Sequence, residues 1–327
     1  MKSYSKTKKI IPIFFACDDN YAKYLGVTIK SLMINANKKD YSYRFYILET
    51  DLNPLYLDKF KEMMEGDSTI EYVDVRKEIK AFRSKLSLRD YYTSATYYRL
   101  FIMELFPQYD KVVYLDSDLL IKGDISRFYN YNISNHLLGA VQDEVLYLNK
   151  PFALYSILNV GVPTNKYFNA GVLLMNLQQM RKQDIYNKFI NLLTVKSFPV
   201  AQDQDYLNYL CKNQVRYLPL SWNKNPIKNS LFNDKNVKIV HFKMAWKPWK
   251  YDGILYEKLF WEYAKQTCFY KEILDAKNNY SELDKARDEE HSRHLLNMVI
   301  ELNNEALAKL DKGVDFDVDL AIDARYC

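Results

Sequence analysis

The first part of the chain alternates between short apolar runs and segments whose apolar residues recur at helical spacing. Residues 10–17 form an apolar run as long as a buried strand, and Leu25, Ile29 and Leu32 follow three and four positions apart. That spacing predicts a helix with one apolar face. The alternation continues with predicted strands at 43–49, 69–75 and 111–115 and predicted helices at 54–66 and 94–106. This order favours a parallel, doubly wound α/β sheet.

The second part of the chain contains further apolar runs and then becomes helical. Runs at 138–142, 171–177 and 237–242 predict strands, and helices are expected from about 180 and over 203–212. From residue 255 the pattern is helical almost to the end, apart from an alternating acidic segment at 313–320, which would form an edge strand or a tail. We therefore predict one sheet-containing domain over residues 1–268 and a helical C-terminal extension with an acidic tail over 269–327.

Charge is unevenly distributed along the chain. The formal net charge is +5, but residues 281–327 contain 12 acidic and 6 basic residues, whereas residues 1–280 contain 29 acidic and 40 basic residues. A basic body attracts phosphates, nucleic acids or anionic lipids without distinguishing them. Because no nucleic-acid-binding motif accompanies the charge, we expect no nucleic-acid partner.

Cysteine usage and hydropathy indicate where in the cell the protein is expected. The four cysteines are far apart and form no C-x-x-C pair, which favours a reducing cytoplasm. No apolar run reaches the ~18–20 residues that span a bilayer. The run at 10–17 is short, contains Pro12 and is followed at once by acidic residues, so we interpret it as a strand and not as a signal peptide.

Two aspartates follow directly after the predicted strand at 111–115. Asp116 and Asp118 stand at positions i and i+2, where the strand leaves the core. Open α/β folds bind their ligands at this carboxyl edge of the sheet. Two carboxylates there suit Mn²⁺ or Mg²⁺, and such a cation suits a diphosphate. A lone D-x-D is also common in surface loops, where it is only a solvated turn.

Several sequence blocks in a fixed order resemble glycosyltransferase family 8, which includes glycogenin and the bacterial lipopolysaccharide glucosyl- and galactosyltransferases. Five blocks match: FACDDNY at 15–21, TYYRL at 96–100, VYLDSD at 113–118, YFNAGVLL at 167–174 and QDQD at 202–205. A sixth, HFKMAWKPW at 241–249, departs at Met244, where the family usually has glycine. The resemblance covers roughly residues 10–265. It implies a GT-A fold, with a mostly parallel doubly wound sheet flanked by helices.

The resemblance also implies an activity and a set of site residues. The activity is the transfer of glucose or galactose from a UDP-sugar to a glycan or glycoconjugate, with retention of configuration. Asp116, Asp118 and His241 would bind Mn²⁺ or Mg²⁺. The substrate contacts that it implies are Ala16, Asp18, Asn20, Arg99, Ser117, Asp143, Asn169, Ala170, Gly171, Asp203, Gln204 and Lys247.

The catalytic residues implied are Gln204, Asp203 and Lys247. A retaining glycosidase uses a carboxylate nucleophile beneath the sugar, whereas the residue expected on that face here is Gln204, whose amide is a poor nucleophile. We therefore favour a front-side route, in which the leaving diphosphate accepts the proton of the incoming hydroxyl. Lys247 and the metal would hold the developing charge, so that catalysis is mostly positioning and electrostatics.

Taken singly, these residues also have ordinary structural interpretations. Asp18 or Asn20 could cap a helix, Arg99 could be a solvated helix residue, and Asn169 with Ala170 could form a turn before a strand at 171. Two other functions stay open at this stage. One is a catalytically impaired nucleotide-sugar-binding protein, which only Met244 supports. The other is a haloacid-dehalogenase-type phosphotransferase, which also carries D-x-D after a strand.

The segment 243–251 is dense in basic and aromatic residues. Such a segment would suit an acceptor lid or a peripheral contact with the inner face of the membrane. The acidic end of the chain disfavours docking on anionic lipid through its last residues. The sequence does not determine the oligomeric state, the acceptor or the choice between glucose and galactose.

Overall fold

The computed structural model describes residues 7–80, 82, 86, 94–227 and 236–310. Its strands are β1 (Lys9–Ala16), β2 (Tyr41–Glu49), β3 (Thr69–Asp74), β4 (Lys111–Leu115), β5 (Leu119–Ile121), β6 (Leu138–Gln142), β7 (Phe168–Asn176), β8 (Val215–Tyr217) and β9 (Ile239–His241). Seven of them form one sheet in the order β3-β2-β1-β4-β7-β6-β8, and β5 pairs with β9 in a separate ribbon. In the large sheet only β7 runs against its neighbours. The predicted mostly parallel, doubly wound sheet is confirmed.

Helices flank this sheet and then continue to the end of the described chain. Their bounds are α1 (Asp19–Asn35), α2 (Pro54–Lys61), α3 (Arg76–Lys80), α4 (Ile102–Leu105), α5 (Ile125–Tyr129), α6 (Glu144–Leu148), α7 (Lys150–Tyr155), α8 (Leu177–Lys182), α9 (Ile185–Val195), α10 (Asp203–Cys211), α11 (Glu257–Ala264), α12 (Tyr270–Asn278) and α13 (Glu282–Leu310). Two separate clusters of buried residues lie on the sheet, one on each face.

The first strand shows why its sequence is an unbroken apolar run. Ile13 and Phe15 belong to the core on one face of the sheet, and Phe14 belongs to the core on the other face. A parallel strand covered by helices on both faces needs apolar side chains at every position. The interpretation of residues 10–17 as a core strand is correct.

Several boundaries differ from the sequence-based expectations. The helix predicted over 54–66 ends at Lys61. The segment predicted as helical over 94–106 is helical, but it consists of a 3₁₀-helix at Ser94–Phe101 followed by α4. Asn169 and Ala170, expected in a turn, are residues of β7. The acidic segment at 313–320 lies outside the described residues.

The helices of the C-terminal part pack on the sheet-containing part. Leu295 and Val299 of α13 are buried. The side-chain amide of Asn303 donates to the carbonyl oxygen of Pro151 at 2.8 Å, and Asp288 accepts from the hydroxyl of Tyr251 at 3.0 Å. The helical character of residues 257–310 is confirmed, whereas a domain boundary at 268 stays a prediction.

Among the described helices, none combines the length and the apolar character that a bilayer-spanning helix needs. The cytoplasmic location and the peripheral membrane contact stay predictions.

Candidate active site

The carboxyl ends of two central strands define the site. β1 and β4 are parallel neighbours, so Ala16 at the end of one and Asp116 after the other meet at the same edge of the sheet. A cavity of about 470 Å³ opens there, and both residues line it. Its size lies within the usual range for small-molecule sites, about 300–1,000 Å³.

The imidazole of His241 lies beside the two aspartates, although it is far away in sequence. The cause is the ribbon of β5 and β9, which pairs Leu119 with His241 directly. His241 Nε2 is 3.1 Å from Asp118 Oδ1 and 3.6 Å from Asp116 Oδ2. A Cβ at Gly171 would collide with the His241 ring and the Asp116 carboxylate. Glycine at this position therefore allows the close approach.

A chain of amide hydrogen bonds fixes the orientation of that imidazole. The backbone N–H of Gly171 donates to Asn169 Oδ1 at 3.0 Å, which sets the direction of this amide. Asn223 Nδ2 donates to the same oxygen at 2.8 Å, and Asn223 Oδ1 faces His241 Nδ1 at 3.0 Å. A neutral His241 therefore carries its proton on Nδ1 and presents the lone pair of Nε2 to the aspartates.

These three side chains fit a divalent cation. Across the described part of the chain, no hydrogen bond reaches Oδ1 of Asp118, which is buried. It faces His241 Nε2 at 3.1 Å, so with the neutral tautomer described above two electron-pair donors face each other with no proton between them. One ligand atom each from Asp116, Asp118 and His241 lie within 4.8 Å of one another. Carboxylates with an imidazole form a donor set that Mn²⁺ accepts.

Asn223 was not anticipated from the sequence, and its contribution can be tested. Asn223→Ala should weaken Mn²⁺ binding about 10- to 100-fold, because the imidazole loses the partner that sets its tautomer. The measurement is a Mn²⁺ titration followed by electron paramagnetic resonance, with ¹⁵N shifts of the imidazole as a direct report on the tautomer. Asn187→Ala, at an exposed asparagine of α9, is the control. An unchanged Mn²⁺ affinity would refute this positioning role.

Lys247 is paired with the second aspartate. It is 2% exposed and donates to Asp118 Oδ2 and to the carbonyl oxygen of Phe242, both at 2.5 Å. Burial opposes ionisation of Asp118, but the ammonium of Lys247 outweighs it, with His241 adding to the effect when it is protonated, and the pKa of that carboxyl lies well below its usual range. Asp118 is therefore a permanent anion, as a metal ligand must be.

Arg99 is buried and not a solvated helix residue. It is 4% exposed, and its guanidinium contacts Asp116 Oδ1 at 3.1 Å and Asp203 Oδ2 at 2.9 Å. It also donates to the carbonyl oxygen of Ala170 and stacks on the ring of Tyr114, 4.3 Å from the centroid. This single side chain therefore joins the aspartate pair to β7 and α10.

One part of the cavity lining is a polar network around Gln204. Gln204 Oε1 accepts from Asn169 Nδ2 at 2.8 Å and from the backbone N–H of Ala170 at 3.0 Å. Gln204 Nε2 donates to Asp143 Oδ2 at 3.3 Å. Asp143 is a buried helix cap that also accepts from Lys243 at 2.9 Å. The residues expected in a sugar pocket thus lie together.

Of the residues expected to contact the nucleotide, only some line the cavity. Asp18 lines the cavity and caps α1 by accepting from the backbone N–H of Tyr21 at 3.1 Å. Ser117 donates to the carbonyl oxygen of Ala16 at 2.9 Å. Asn20 is exposed in the first turn of α1 and is not among the residues that line the cavity. The expected contact of Asn20 with uridine stays a prediction without support from the cavity.

Met244 takes the backbone conformation that glycine favours. Its φ is 59°, in the left-handed region, where a side chain is strained. Its side chain lines the cavity and packs against the core on the Phe14 face of the sheet. The loop at 241–249 therefore keeps a glycine-type turn despite the methionine.

Asp203, the first residue of α10, has an unusual environment. Burial raises its pKa to about 7, helped by Asp116 and Asp205 and opposed by Arg99. Because the folded state then binds this proton more tightly than the unfolded chain, its contribution to stability is greatest below about pH 4 and falls as the pH rises to about 7.

A substitution isolates this pH effect. The free energy of unfolding of the wild type, relative to Asp203→Asn, should fall as the pH rises from about 4 to about 7, because only the wild type must ionise a buried carboxyl. Urea unfolding at several pH values measures the difference. A difference that grows with pH would show that the pairing with Arg99 dominates instead.

Comparison with known proteins agrees with this geometry. The model of glycosyl transferase family 8 matches residues 12–253. A Haemophilus influenzae protein named as a glycosyltransferase is 30% identical over 230 residues, which cover 70% of this chain and 67% of the relative. The lipopolysaccharide 1,2-glucosyltransferase of Escherichia coli K12 is 24% identical over 278 residues, covering 77% of this chain and 78% of that protein.

A solved structure extends the likeness to three dimensions. The galactosyltransferase LgtC, solved with donor and acceptor sugar analogues, is 28% identical and has a TM-score of 0.66. The match covers 79% of this chain and 96% of LgtC. With the family model matched over most of the chain, the protein belongs to glycosyltransferase family 8.

Proposed function

We propose that this protein transfers glucose or galactose from a UDP-sugar to a glycan or glycoconjugate, with retention of configuration and with Mn²⁺ or Mg²⁺ bound. The observation that carries the proposal is the convergence of Asp116, Asp118 and His241 beside the buried Lys247 at the carboxyl edge of the sheet. Relatives named lipopolysaccharide 1,2-glucosyltransferase and lipopolysaccharide 1,3-galactosyltransferase support a hexose.

The chain's own residues would act mainly by positioning and by charge. A divalent cation at Asp116, Asp118 and His241 would neutralise charge on the leaving diphosphate when bound. Lys247 would bind the same diphosphate as a point charge. The nucleotide would lie against Ala16, Asp18 and Ser117. Asp203 and Gln204 would hold the sugar with the polar groups of β7.

The carboxylates of the cavity support a mechanism without a protein nucleophile. Asp203 pairs with Arg99, and Asp143 pairs with Lys243. Gln204 is held by four hydrogen-bonded neighbours and offers only an amide. We therefore assign retention to a front-side route, in which the incoming hydroxyl gives its proton to the leaving diphosphate.

The role of Gln204 is testable separately from binding. Gln204→Ala should lower kcat about 10²-fold, because one positioned polar group is lost from the reacting sugar. The affinity for UDP should change by less than about 3-fold, since that ligand does not need this contact. Steady-state transfer and UDP titrations measure both. Gln183→Ala, which changes a glutamine outside the cavity lining, is the control, and a loss of UDP affinity equal to the loss in kcat would contradict the assignment.

Membership of family 8 removes the ground for a haloacid-dehalogenase-type phosphotransferase. The impaired-binder alternative depended on Met244, whose φ of 59° lies in the region that glycine favours. Metal-dependent hydrolysis or transfer of a donor sugar distinguishes this alternative from an active enzyme.

A donor screen tests the proposal directly. Purified protein with Mn²⁺ is incubated with UDP-glucose, UDP-galactose, UDP-N-acetylglucosamine and ADP-glucose, and the release of nucleoside diphosphate is measured with and without chelator. We expect metal-dependent release from one of the two UDP-hexoses. Absence of UDP release and of UDP binding in Mn²⁺ and in Mg²⁺ would refute the proposal.

A further inference from the structure

The residues that line the cavity fall into two chemically different groups. One group carries the charged and metal-binding side chains described above. The other group consists of carbon side chains, which we call the apolar wall: Val145, Leu146, Phe152, Val200, Leu295 and Leu296. Leu146, Val200 and Leu295 belong to one core cluster, and Phe152 packs against it. Four of the six wall residues therefore belong to or pack on the same core cluster.

Part of the apolar wall comes from outside the region that the family model matches. Leu295 and Leu296 belong to α13, whereas the match ends at residue 253. Two polar contacts attach α13 to the rest of the chain. Asp288 pairs with Lys250 at 3.2 Å, and Asn303 Oδ1 accepts a hydrogen bond from Asn159 Nδ2 at 3.1 Å. This helix is thus a fixed part of the cavity.

The apolar wall does not suit the donor. A nucleoside diphosphate and a hexose present charges and hydroxyl groups, which need polar partners, and the polar lining residues described above supply them. An apolar surface gains affinity by removing apolar ligand area from water. The indole of Trp246, which also lines the cavity, is 57% exposed and offers a further aromatic surface.

Given the proposed function, we propose that the apolar wall binds the acceptor through an apolar group attached to its sugar. The acceptor class is then a glycoside with a hydrocarbon aglycone, and α13 contributes to acceptor specificity. A free saccharide would leave Val145, Phe152 and Leu296 without a partner in the complex.

Alkyl glycosides test this directly by binding, without turnover. The dissociation constants of n-octyl and methyl β-galactoside and β-glucoside are measured by calorimetry with UDP and Mg²⁺ present, below the micellar concentration of the octyl compounds. Wild type should bind an octyl glycoside at least 10-fold more tightly than the matching methyl glycoside. In Leu296→Gln and in the isosteric Val145→Thr, this preference should fall to 3-fold or less.

A control variant and the UDP measurement separate the possible failures. Leu283→Gln changes a leucine of the same helix that is 63% exposed and outside the cavity lining, and it should keep the full octyl preference. If UDP binds but octyl and methyl glycosides bind equally, or if both wall variants keep the preference, the inference is wrong while the proposed function stands. If UDP does not bind in the presence of metal, the proposed function itself fails.

Discussion

Asp118→Asn is expected to lower kcat/KM for hexose transfer by at least about 10³-fold and to abolish tight Mn²⁺ binding. The substitution keeps the shape of the side chain but removes a charged ligand, and a bound metal supplies several kcal/mol of charge stabilisation, where about 1.4 kcal/mol is tenfold in rate. It also leaves the buried Lys247 without its carboxylate. UDP release and a Mn²⁺ titration measure the two effects.

The same strand provides a matched control. Asp110 precedes β4, whereas Asp118 follows its other end, and the side chain of Asp110 is 73% exposed. Asp110→Asn should therefore leave transfer and metal binding within about 2-fold of wild type, as for an ordinary surface charge. Full activity of Asp118→Asn, with Mn²⁺ affinity equal to that of the Asp110 variant, would refute the metal role.

Arg99→Met is expected to lower the free energy of unfolding by about 3–5 kcal/mol, because removing one partner of a buried ion pair leaves an uncompensated charge. Here two carboxylates lose their cation, Asp116 and Asp203, and the carbonyl oxygen of Ala170 loses a donor. Urea unfolding monitored by circular dichroism measures the change. The folded fraction of this variant should also transfer hexose more slowly, since Arg99 no longer positions Asp116.

An exposed ion pair between an arginine and an aspartate provides the control. Arg76 pairs with Asp74 at 2.6 Å, but both side chains are about half exposed. Arg76→Met should therefore cost less than about 1 kcal/mol, as surface ion pairs do. A loss from Arg99→Met no larger than that from Arg76→Met would mean that Arg99 is not the buried centre of the site.

The long apolar strands and most helices were predictable, because burial on both faces imposes a continuous apolar pattern. The run at 10–17 became β1 for this reason. β5 and β8 were missed, since three residues are too few to show a period. The direction of β7 was not predictable either, because an antiparallel strand inside a covered sheet has the same apolar composition as a parallel one.

The site was predictable only in part. The D-x-D after β4 indicates a ligand edge by itself, but the approach of His241 depends on the pairing of two three-residue strands. No sequence spacing reveals that pairing. His241 was predicted as a metal ligand only through the family resemblance. Asn223 carries no sequence signal, because its partners are distant in the chain. Lys243 lies in the block at 241–249, but its pairing with Asp143 was not predicted. The burial of Arg99 could not be predicted either, because nothing in the helical pattern of residues 94–106 distinguishes it from a solvent-exposed arginine.

The central claim is that Asp116, Asp118 and His241 hold one cation that binds the diphosphate of the donor. Anomalous diffraction at the manganese edge, from crystals soaked with MnCl₂ and UDP, tests it most directly. The account predicts one strong peak between the two carboxylates and the imidazole Nε2, with phosphate oxygens completing the coordination. UDP bound in the cavity with no anomalous peak at these three side chains would contradict it.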